Sequence, residues 1–324
     1  MILPGMDYWW LIPVAFFLDM AFGDPPLPWR HPVCIIGNIL HGLEPWARRA
    51  GASRPVGLAC MIFTVTLCAY GVYILTALPV AGLVFSIYFA YAGLATRALL
   101  QSCEEILTVI EEGSLEEAQQ ALSRVVTRDT TVQDRDTLRK SLADSLSENV
   151  TDAVVAPIFW LLVGGPVGLW GYKVVSTMDS MWGYKIDKWR RLGWAGARMD
   201  DVLAFIPARL AVLFLWGAGT LAQVPQRNGG RWPGFAVVAR QAGGMESPNS
   251  GWPMAAASWL LGARMGGPTV YFGALNNKPW VGLPAEEAQP WDAPRLRALL
   301  ILVRNTGLLA AVCLYAVGMV LCVL

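Results

Sequence analysis

The sequence has few charged residues, and this shortage argues against a soluble protein. Of its 324 residues, 15% are charged and 55% are hydrophobic, whereas a soluble domain carries about a quarter charged residues. The net charge of +1 gives no reason to expect a nucleic acid as a partner. The composition indicates a membrane protein instead.

Histidine and paired cysteine are also scarce. His31 and His41 are the only histidines, which argues against a Ser-His-Asp triad and against a multi-histidine metal site. The six cysteines are scattered without a CxxC spacing, which argues against zinc and iron–sulfur sites. The chain contains no P-loop string and no Rossmann glycine fingerprint, so no motif predicts nucleotide binding.

Long apolar runs are what the sequence does have, and several approach the roughly 20 residues of a spanning helix. Gly164-Gly165-Pro166 interrupts one run and Pro207 another, so we expect broken or re-entrant segments there. The predicted fold class is all-α, a polytopic membrane helical protein with one membrane domain over 1–324. The runs lie at about 8–22, 56–78, 79–96, 153–175, 202–224 and 303–324.

Two stretches differ from these runs. The stretch 97–152 holds twelve Asp/Glu against six Lys/Arg, and it predicts an amphipathic helical insert. The stretch 225–300 is rich in Gly, Pro and Trp, and it predicts structured loops around one short apolar helix near 254–265 that contribute to the site. Arg and Lys in the loops 23–55 and 173–198 favour a cytoplasmic position for both loops and for the insert.

Polar residues near the ends of the apolar runs are candidates for chemistry. Spacings of three and four put Glu148 and Asp152 on one helical face, where a carboxylate beside an apolar run is costly unless it is paired. Asp200 and Asp201 suit Mg²⁺, which takes one or two carboxylates together with substrate phosphate. The alternatives are a solvated helix face for the first pair and structural ion pairs with Arg198 and Arg209 for the second.

Several short strings occur in a fixed order along nearly the whole chain. They are Asp19-Met-Ala-Phe-Gly-Asp-Pro25, His31-Pro-Val33, Arg128-Asp129-Thr130, Glu148-Asn149, Asp179-Ser-Met181, Asp200-Asp201, Ile206-Pro-Ala-Arg-Leu210 and Asn249-Ser-Gly251. Each string alone is weak evidence, but the ordered set resembles the CobD/CbiB family of cobalamin biosynthesis, the adenosylcobinamide-phosphate synthases. Ala204, Met254, Ser176 and Asp144-Ser145 depart from the pattern of that family.

The resemblance implies an ATP-dependent, amide-forming ligase that joins adenosylcobyric acid to aminopropanol or its phosphate. It implies an acyl phosphate intermediate, Mg²⁺ as cofactor and ATP as co-substrate. The implied partners are the corrinoid, the amine, the lipid bilayer and other late-pathway membrane enzymes. The implied location is the bacterial inner membrane, with a multi-pass chain and an active site that faces the cytoplasm.

The same resemblance supports a hypothesis for residue roles. Glu148 and Asp152 are predicted to be catalytic, as acceptors of the amine proton. Asp179, Asp200 and Asp201 are predicted to hold Mg²⁺. Substrate binding is assigned to Asp24, His31, Asn149, Lys173, Ser180, Lys185, Arg198, Arg209, Asn249 and Ser250.

Two other functions stay open from the sequence. Ionisable residues near the membrane and broken helices also mark transporters, although no two halves of this chain look alike. A non-catalytic membrane sensor of the AmpE type is the second alternative.

Overall fold

The computed structural model describes residues 8–25, 31–184, 186–271 and 273–323, and these residues are mostly helical. They divide into two compact units. The first unit is formed by Met1–Ala95, Ala156–Ala204 and Ala311–Leu324, and the second by Thr96–Val155 and Phe205–Ala310.

The first unit is built around two long helices that pack on each other, α3 (Arg54–Thr76) and α8 (Ala156–Trp182). α3 approaches the backbone at Leu192 closely, and this approach depends on Gly57, because a Cβ there would lie 2.0 Å from the carbonyl oxygen of Leu192. Its helices are α1 (Leu11–Phe22), α2 (Pro32–Arg49), α3 (Arg54–Thr76), α4 (Ala81–Ala92), α8 (Ala156–Trp182) and α9 (Trp194–Leu203).

The second unit packs α5, α6 and α7 against one another and places α13 against α7, α10, α12 and a β-hairpin. Its elements are α5 (Thr96–Glu112), α6 (Leu115–Ser123), α7 (Arg135–Asn149), α10 (Phe205–Leu221), α11 (Val224–Asn228), α12 (Phe235–Ala242), α13 (Gly251–Leu260), β1 (Arg264–Tyr271) and β2 (Ala274–Gly282). The last helix, α14 (Ala293–Val323), contributes residues to both units.

Several helices are long and apolar enough to cross a membrane, which confirms the predicted polytopic class. Apolar side chains on them face outward: Ile62 on α3 is 55% exposed and Val320 on α14 is 58% exposed, which suits contact with lipid. Four such segments occur among the described residues: Arg54–Thr76, Ala81–Glu112, Arg135–Trp182 and Ala293–Val323. The pair Trp194–Leu203 and Phe205–Leu221, bent by 44°, makes a fifth if it counts as one span.

Both predicted helix breaks are present. Gly165 in α8 has φ 59° and ψ −157°, a conformation outside the helical region that only glycine adopts without strain. The second break falls between Leu203 and Phe205, before Pro207 instead of at it. The proline ring excludes the carbonyl of the residue four positions earlier, and the freed oxygen of Leu203 accepts a hydrogen bond from Nε1 of Trp160 at 3.2 Å.

The acidic stretch 97–152 forms α5, α6 and α7, and the side chains of Ser114 and Asp134 cap the N-termini of α6 and α7. Ser114 and Glu117 form the predicted capping box at the start of α6. Leu138, Leu142 and Leu146 recur on the buried face of α7, and each is at most 1% exposed. The amphipathic pattern therefore identified the side of α7 that enters the core of its unit.

A β-hairpin within 225–300 was not predicted. The apolar helix expected near 254–265 ends at Leu260, and the chain then forms the antiparallel strands β1 and β2. Gly266 and Gly267 both have φ +77°, and the strand register shifts between Gly266 and Pro268. Two adjacent glycines with positive φ form a β-bulge that depends on glycine. The sequence did not predict these strands because the surrounding residues have low β-propensity.

Candidate functional site

A buried carboxylate, Asp144 on α7, organises the polar centre of the second unit. Nη1 of Arg128 lies 2.8 Å from Oδ2 of Asp144, and both side chains are nearly inaccessible to water. Nζ of Lys140 donates to the same oxygen at 3.1 Å. Burial alone would lower the pKa of Arg128, but the neighbouring Asp144 raises it above its ordinary value, so Arg128 is held in its charged form.

The other oxygen of Asp144 anchors the hairpin. The backbone N–H of Gly266 donates to Oδ1 of Asp144 at 3.1 Å, and the N–H of Gly273 donates to Oδ2 of Asp129 at 2.7 Å. Asp144 on α7 therefore accepts from a backbone N–H at the bulge of the hairpin, and Asp129, which precedes α7, accepts from one at its turn. Hydrogen bonds to an ionised acceptor are among the stronger ones in proteins.

The predicted base Glu148 lies one turn beyond Asp144 on α7. It is partly buried and interacts electrostatically with Lys278, Arg128 and Asp144. Nζ of Lys278 in turn donates to the hydroxyl of Tyr271 at 2.6 Å. Glu148 is therefore a partly buried carboxylate that interacts with two cations and one other carboxylate.

The chain leaves regular α-helical geometry immediately after this carboxylate. Residues Val150–Val155 form a π-helical turn that contains Asp152 and joins α7 to α8. Such turns are rare and often occur at functional sites. The wider π-helical turn rotates Asp152 relative to Glu148, so the strict α-helical spacing of four no longer applies. Asn149 donates from Nδ2 to the carbonyl oxygen of Ser145 at 2.9 Å.

The second unit also brings Arg209 and Asn249 together. Nη1 of Arg209 donates to Oδ1 of Asn249 at 2.7 Å and to the carbonyl oxygen of Phe205 at 2.9 Å, while Nη2 donates to the carbonyl oxygen of Pro248 at 3.3 Å. The guanidinium also stacks over the ring of Trp252, 4.5 Å from its centroid. Two of its five N–H groups therefore hold the loop before α13, where Ser250 is the N-cap, and a third donates within α10.

In the first unit, His31 caps the N-terminus of α2, and its Nδ1 accepts from the backbone N–H of Val33 at 3.3 Å. Burial lowers the pKa of His31; nearby Lys173 acts in the same direction, and Asp24 opposes it. These three predicted substrate-binding residues therefore lie within one electrostatic neighbourhood. Asp24 is exposed, and Lys173 is partly buried.

The end of α8 packs against α9 in the same unit. The two helices approach closely at Gly196, where a Cβ would lie 3.0 Å from Cγ of Met178, and the chain turns tightly after α8, where a Cβ on Gly183 would lie 2.0 Å from Oδ1 of Asp179. Burial raises the pKa of Tyr184, and the charge of Asp179 adds to the effect. Ser180 is exposed and donates to the carbonyl oxygen of Ser176 at 2.9 Å.

The residues predicted to bind Mg²⁺ do not form a three-carboxylate cage. Among the described residues, no group of three or more His, Cys, Asp and Glu side chains is placed to hold a metal ion. Nη1 of Arg198 lies 3.6 Å from Oδ2 of Asp201. The adjacent carboxylates of Asp200 and Asp201 fit a site that supplies one or two protein oxygens and leaves the other positions to substrate phosphate.

Comparison with known proteins decides the family. The sequence model of the CobD/Cbib protein family matches residues 12–300. The chain belongs to the CobD/CbiB family. The match includes every residue that the sequence analysis assigned to the site.

Members of the family with similar length share about a third of their residues with this chain. A protein of Pelobacter propionicus named "Cobalamin biosynthesis protein CobD" is 37% identical, with 93% of each chain covered. A protein of the same name from Photorhabdus laumondii is 34% identical, over 94% of this chain and 97% of the relative. Another from Geobacter metallireducens is 37% identical, over 87% of this chain and 88% of the relative. No solved structure matches the chain.

In this CobD/CbiB family member, the predicted site residues fall into two sets, one in each unit. The second unit holds Glu148, Asn149, Asp152, Arg209, Asn249 and Ser250. The first holds Asp24, His31, Lys173, Asp179, Ser180, Arg198, Asp200 and Asp201. Lys185 lies outside the described residues.

The structure adds residues to the set in the second unit. Arg128, Asp144 and Lys278 surround Glu148, and none of them had been assigned a role in the site. Arg128 stands in one of the strings that mark the family. Lys278 carries no such signal, because only the fold of the hairpin brings it to the side of α7.

Proposed function

We propose that this chain acts in cobalamin biosynthesis as an amide-forming ligase that joins adenosylcobyric acid to aminopropanol or its phosphate. Family membership and the name that the relatives carry support the pathway. The observation that carries the reaction type is the environment of Glu148, a partly buried carboxylate beside Lys278 and Arg128. A proton acceptor and cations that stabilise anionic groups are both required for acyl transfer.

The reaction needs an activated carboxylate, because a carboxylate does not condense with an amine unaided. In the proposed sequence, an oxygen of the corrinoid carboxylate attacks the γ-phosphorus of ATP, and ADP leaves. The neutral amine then attacks the acyl carbon of the resulting acyl phosphate, and phosphate leaves with the electron pair of the C–O bond. The attacking nitrogen, which becomes positively charged as the N–C bond forms, loses a proton to a carboxylate base.

Glu148 is the proposed base, with Asp152 as the second candidate. Partial burial disfavours the ionised carboxylate, whereas Lys278 and Arg128 favour it. A group under such opposed influences suits a role in which it takes up a proton and then releases it. Asn149 is proposed to orient the amide or phosphate oxygens.

Phosphate contacts are proposed for the cations Lys173, Lys185, Arg198 and Arg209. Arg209 has two N–H groups that are not used by the three hydrogen bonds to its own unit, so it can hold its loop and still contact an anion. Polar contacts to substrate are proposed for Asp24, His31, Ser180, Asn249 and Ser250.

Asp200 and Asp201, with Asp179 as a further candidate, are proposed to hold Mg²⁺. When bound, Mg²⁺ neutralises phosphate charge during phosphoryl transfer. We further propose that the chain lies in the bacterial inner membrane with these residues facing the cytoplasm, where other late-pathway membrane enzymes are its partners.

The decisive experiment uses the full chain purified in detergent. Incubation with adenosylcobyric acid, ATP, Mg²⁺ and aminopropanol or its phosphate is expected to give the amidated corrinoid and ADP. Glu148→Gln should lower the turnover at least about a hundredfold, and the exposed Glu104→Gln is the matched control. Turnover of Glu148→Gln near that of the control would refute its role as the base.

The same material tests the alternatives. Uptake of a solute into vesicles without any amidated product would support a transporter, and absence of both activities would support a sensor. The proposed sidedness is tested by cysteine labelling in intact cells at exposed positions within 97–152 and 225–300. Labelling of the two stretches from opposite sides of the membrane would contradict the proposed cytoplasmic site.

A further inference from the structure

A basic pocket in the first unit is not used by the proposed reaction. It has a volume of about 870 Å³ and is lined by the loop between α2 and α3 and by the segment before α9. Five of its ten lining residues are cationic and one, Asp187, is acidic. The cationic residues are Arg48, Arg54, Lys188, Arg190 and Arg191.

Two of these cations are fixed in place by an aromatic platform. Trp189 is buried and stacks on Trp182 with ring centroids 5.5 Å apart. The guanidinium of Arg48 and the ammonium of Lys188 lie over the ring of Trp189, at 4.8 and 4.5 Å from its centroid. Glu44 also pairs with both, at 2.8 Å from Arg48 and 3.2 Å from Lys188. Because these two side chains are already held in position, the binding of an anion costs little of their conformational entropy.

One donor atom at this pocket lacks a hydrogen-bond partner among the described residues. Nη2 of Arg48 is buried and has no hydrogen-bond partner among the described residues, although a buried donor normally has one. Ser53, at the N-cap of α3, makes no side-chain capping hydrogen bond, and the first turn of α3 contains no acidic residue. A basic pocket at the start of a long helix, with an unsatisfied buried guanidinium nitrogen, is suited to an anion.

An apolar pocket lies farther along the same pair of helices. It has a volume of about 370 Å³ and is lined by Leu43 and Trp46 of α2 and by Ala59, Cys60 and Phe63 of α3. Trp46 is 53% exposed and Phe63 is 52% exposed.

The two pockets follow one face of α3. Pro55 borders the basic pocket and Ala59 the apolar one. Residues four apart share a helix face and lie about 6 Å apart along the axis. The surface therefore changes from cationic to apolar at the N-terminal end of a candidate span.

We propose that these two pockets bind an anionic phospholipid, with its phosphate in the basic pocket and an acyl chain against the apolar one. Charge complementarity accounts for the phosphate, and the neighbouring apolar pocket favours a lipid over a free phosphate ion. Basic pockets between membrane helices are known to take anionic headgroups. The residues involved are separate from those of the proposed ligase site.

The test measures the thermal midpoint of the detergent-purified full chain against increasing lipid. Dioleoylphosphatidylglycerol is expected to raise the midpoint saturably, and dioleoylphosphatidylcholine is expected not to. The double variant Arg190→Gln, Arg191→Gln should increase the half-saturating concentration roughly tenfold. Both residues are exposed, so the variant is expected to fold. The exposed Arg227→Gln is the control for general surface charge.

Phe63→Gln tests the acyl-chain half of the proposal. It should weaken the effect of the full lipid without changing the response to glycerophosphoglycerol, the soluble headgroup. Equal stabilisation by the two dioleoyl lipids, or an equal loss of the effect in Arg227→Gln, would overturn the proposal. Equal protection by inorganic phosphate and by the lipid, unaffected by Phe63→Gln, would also overturn it in favour of a free phosphate ion.

Discussion

Two ion pairs of this protein show how differently the same chemistry behaves in its two units. In the second unit, Arg128 and Asp144 are 2.8 Å apart, with side chains only 6% and 2% exposed. In the first unit, Arg198 and Asp201 are 3.6 Å apart, with side chains 69% and 25% exposed. The buried pair is a structural anchor, because an unpaired charge in its place would be costly, whereas the exposed pair contributes little stability and can be exchanged for a ligand.

The sharpest test of this comparison removes the buried carboxylate. Asp144→Asn should destabilise the second unit by about 3–5 kcal/mol, because buried Arg128 loses the carboxylate with which it forms its ion pair. The measurement is the thermal midpoint in detergent, with Asp201→Asn as the exposed counterpart. Replacing both partners, as Arg128→Met with Asp144→Leu, should recover part of the loss. A midpoint for Asp144→Asn within error of that for Asp201→Asn would break the comparison.

The second-largest loss of stability is expected from a change in the β-hairpin that Asp144 anchors. Gly266→Ala should cost about 1–3 kcal/mol, because φ is +77° and the new Cβ would lie 2.4 Å from the carbonyl oxygen of Pro279. Gly273 is a matched control, with φ +75° and, among the residues that the structure describes, no atom within 4 Å of an added Cβ. Gly273→Ala should therefore show only the backbone strain, of about 1 kcal/mol. Equal thermal midpoints for the two variants would contradict the close packing at Gly266.

The first unit should respond to pH through His31. Burial lowers the pKa of His31 below its ordinary value of 6.5, so the unfolded chain binds this proton more readily than the folded chain. The contribution of His31 to stability is therefore fully present above pH 6.5 and is lost progressively as the pH falls from 6.5 through the lowered pKa of the folded chain. His31→Asn keeps a capping side chain and should reduce the fall of the thermal midpoint between pH 7.5 and 5.5. An unchanged fall would assign the pH dependence to other groups.

The exposed pair gives the smallest effect on stability. Arg198→Gln should change the free energy of unfolding by less than about 1 kcal/mol, since its guanidinium is mostly in water. If the proposed phosphate contact is correct, the same variant should raise the KM for ATP in the amide-forming assay. A large loss of thermal stability would instead place Arg198 among the structural residues.

Local sequence patterns predicted a large part of the fold. The leucines of α7, the capping box at Ser114 and the break at Gly165 follow from hydropathy, from short-range hydrogen bonding and from the freedom of glycine. Each of these effects acts within a few residues, so a sequence window contains all of the groups involved. The ordered polar strings predicted the family for the same reason, because they can be read without knowledge of the fold.

The β-hairpin and the surroundings of Glu148 could not be predicted in this way. The hairpin is anchored by Asp144 and Asp129, which are separated in sequence by 122 and 144 residues from the glycines that they bind. Its strands contain several Gly, Asn and Pro residues, which have low intrinsic β-propensity. Lys278 reaches the region of Glu148 only because this hairpin folds against α7.

The sequence by itself determined the membrane class, the positions of the apolar helices and their breaks, and the family. These properties depend on hydropathy, on backbone conformational freedom and on the order of residues. Only the tertiary structure decided which charges are paired and buried, as in Arg128 and Asp144, and which stay exposed, as in Arg198. The strength of a charge interaction depends on distance and on access to water, and both are set by contacts between residues that are far apart in the chain.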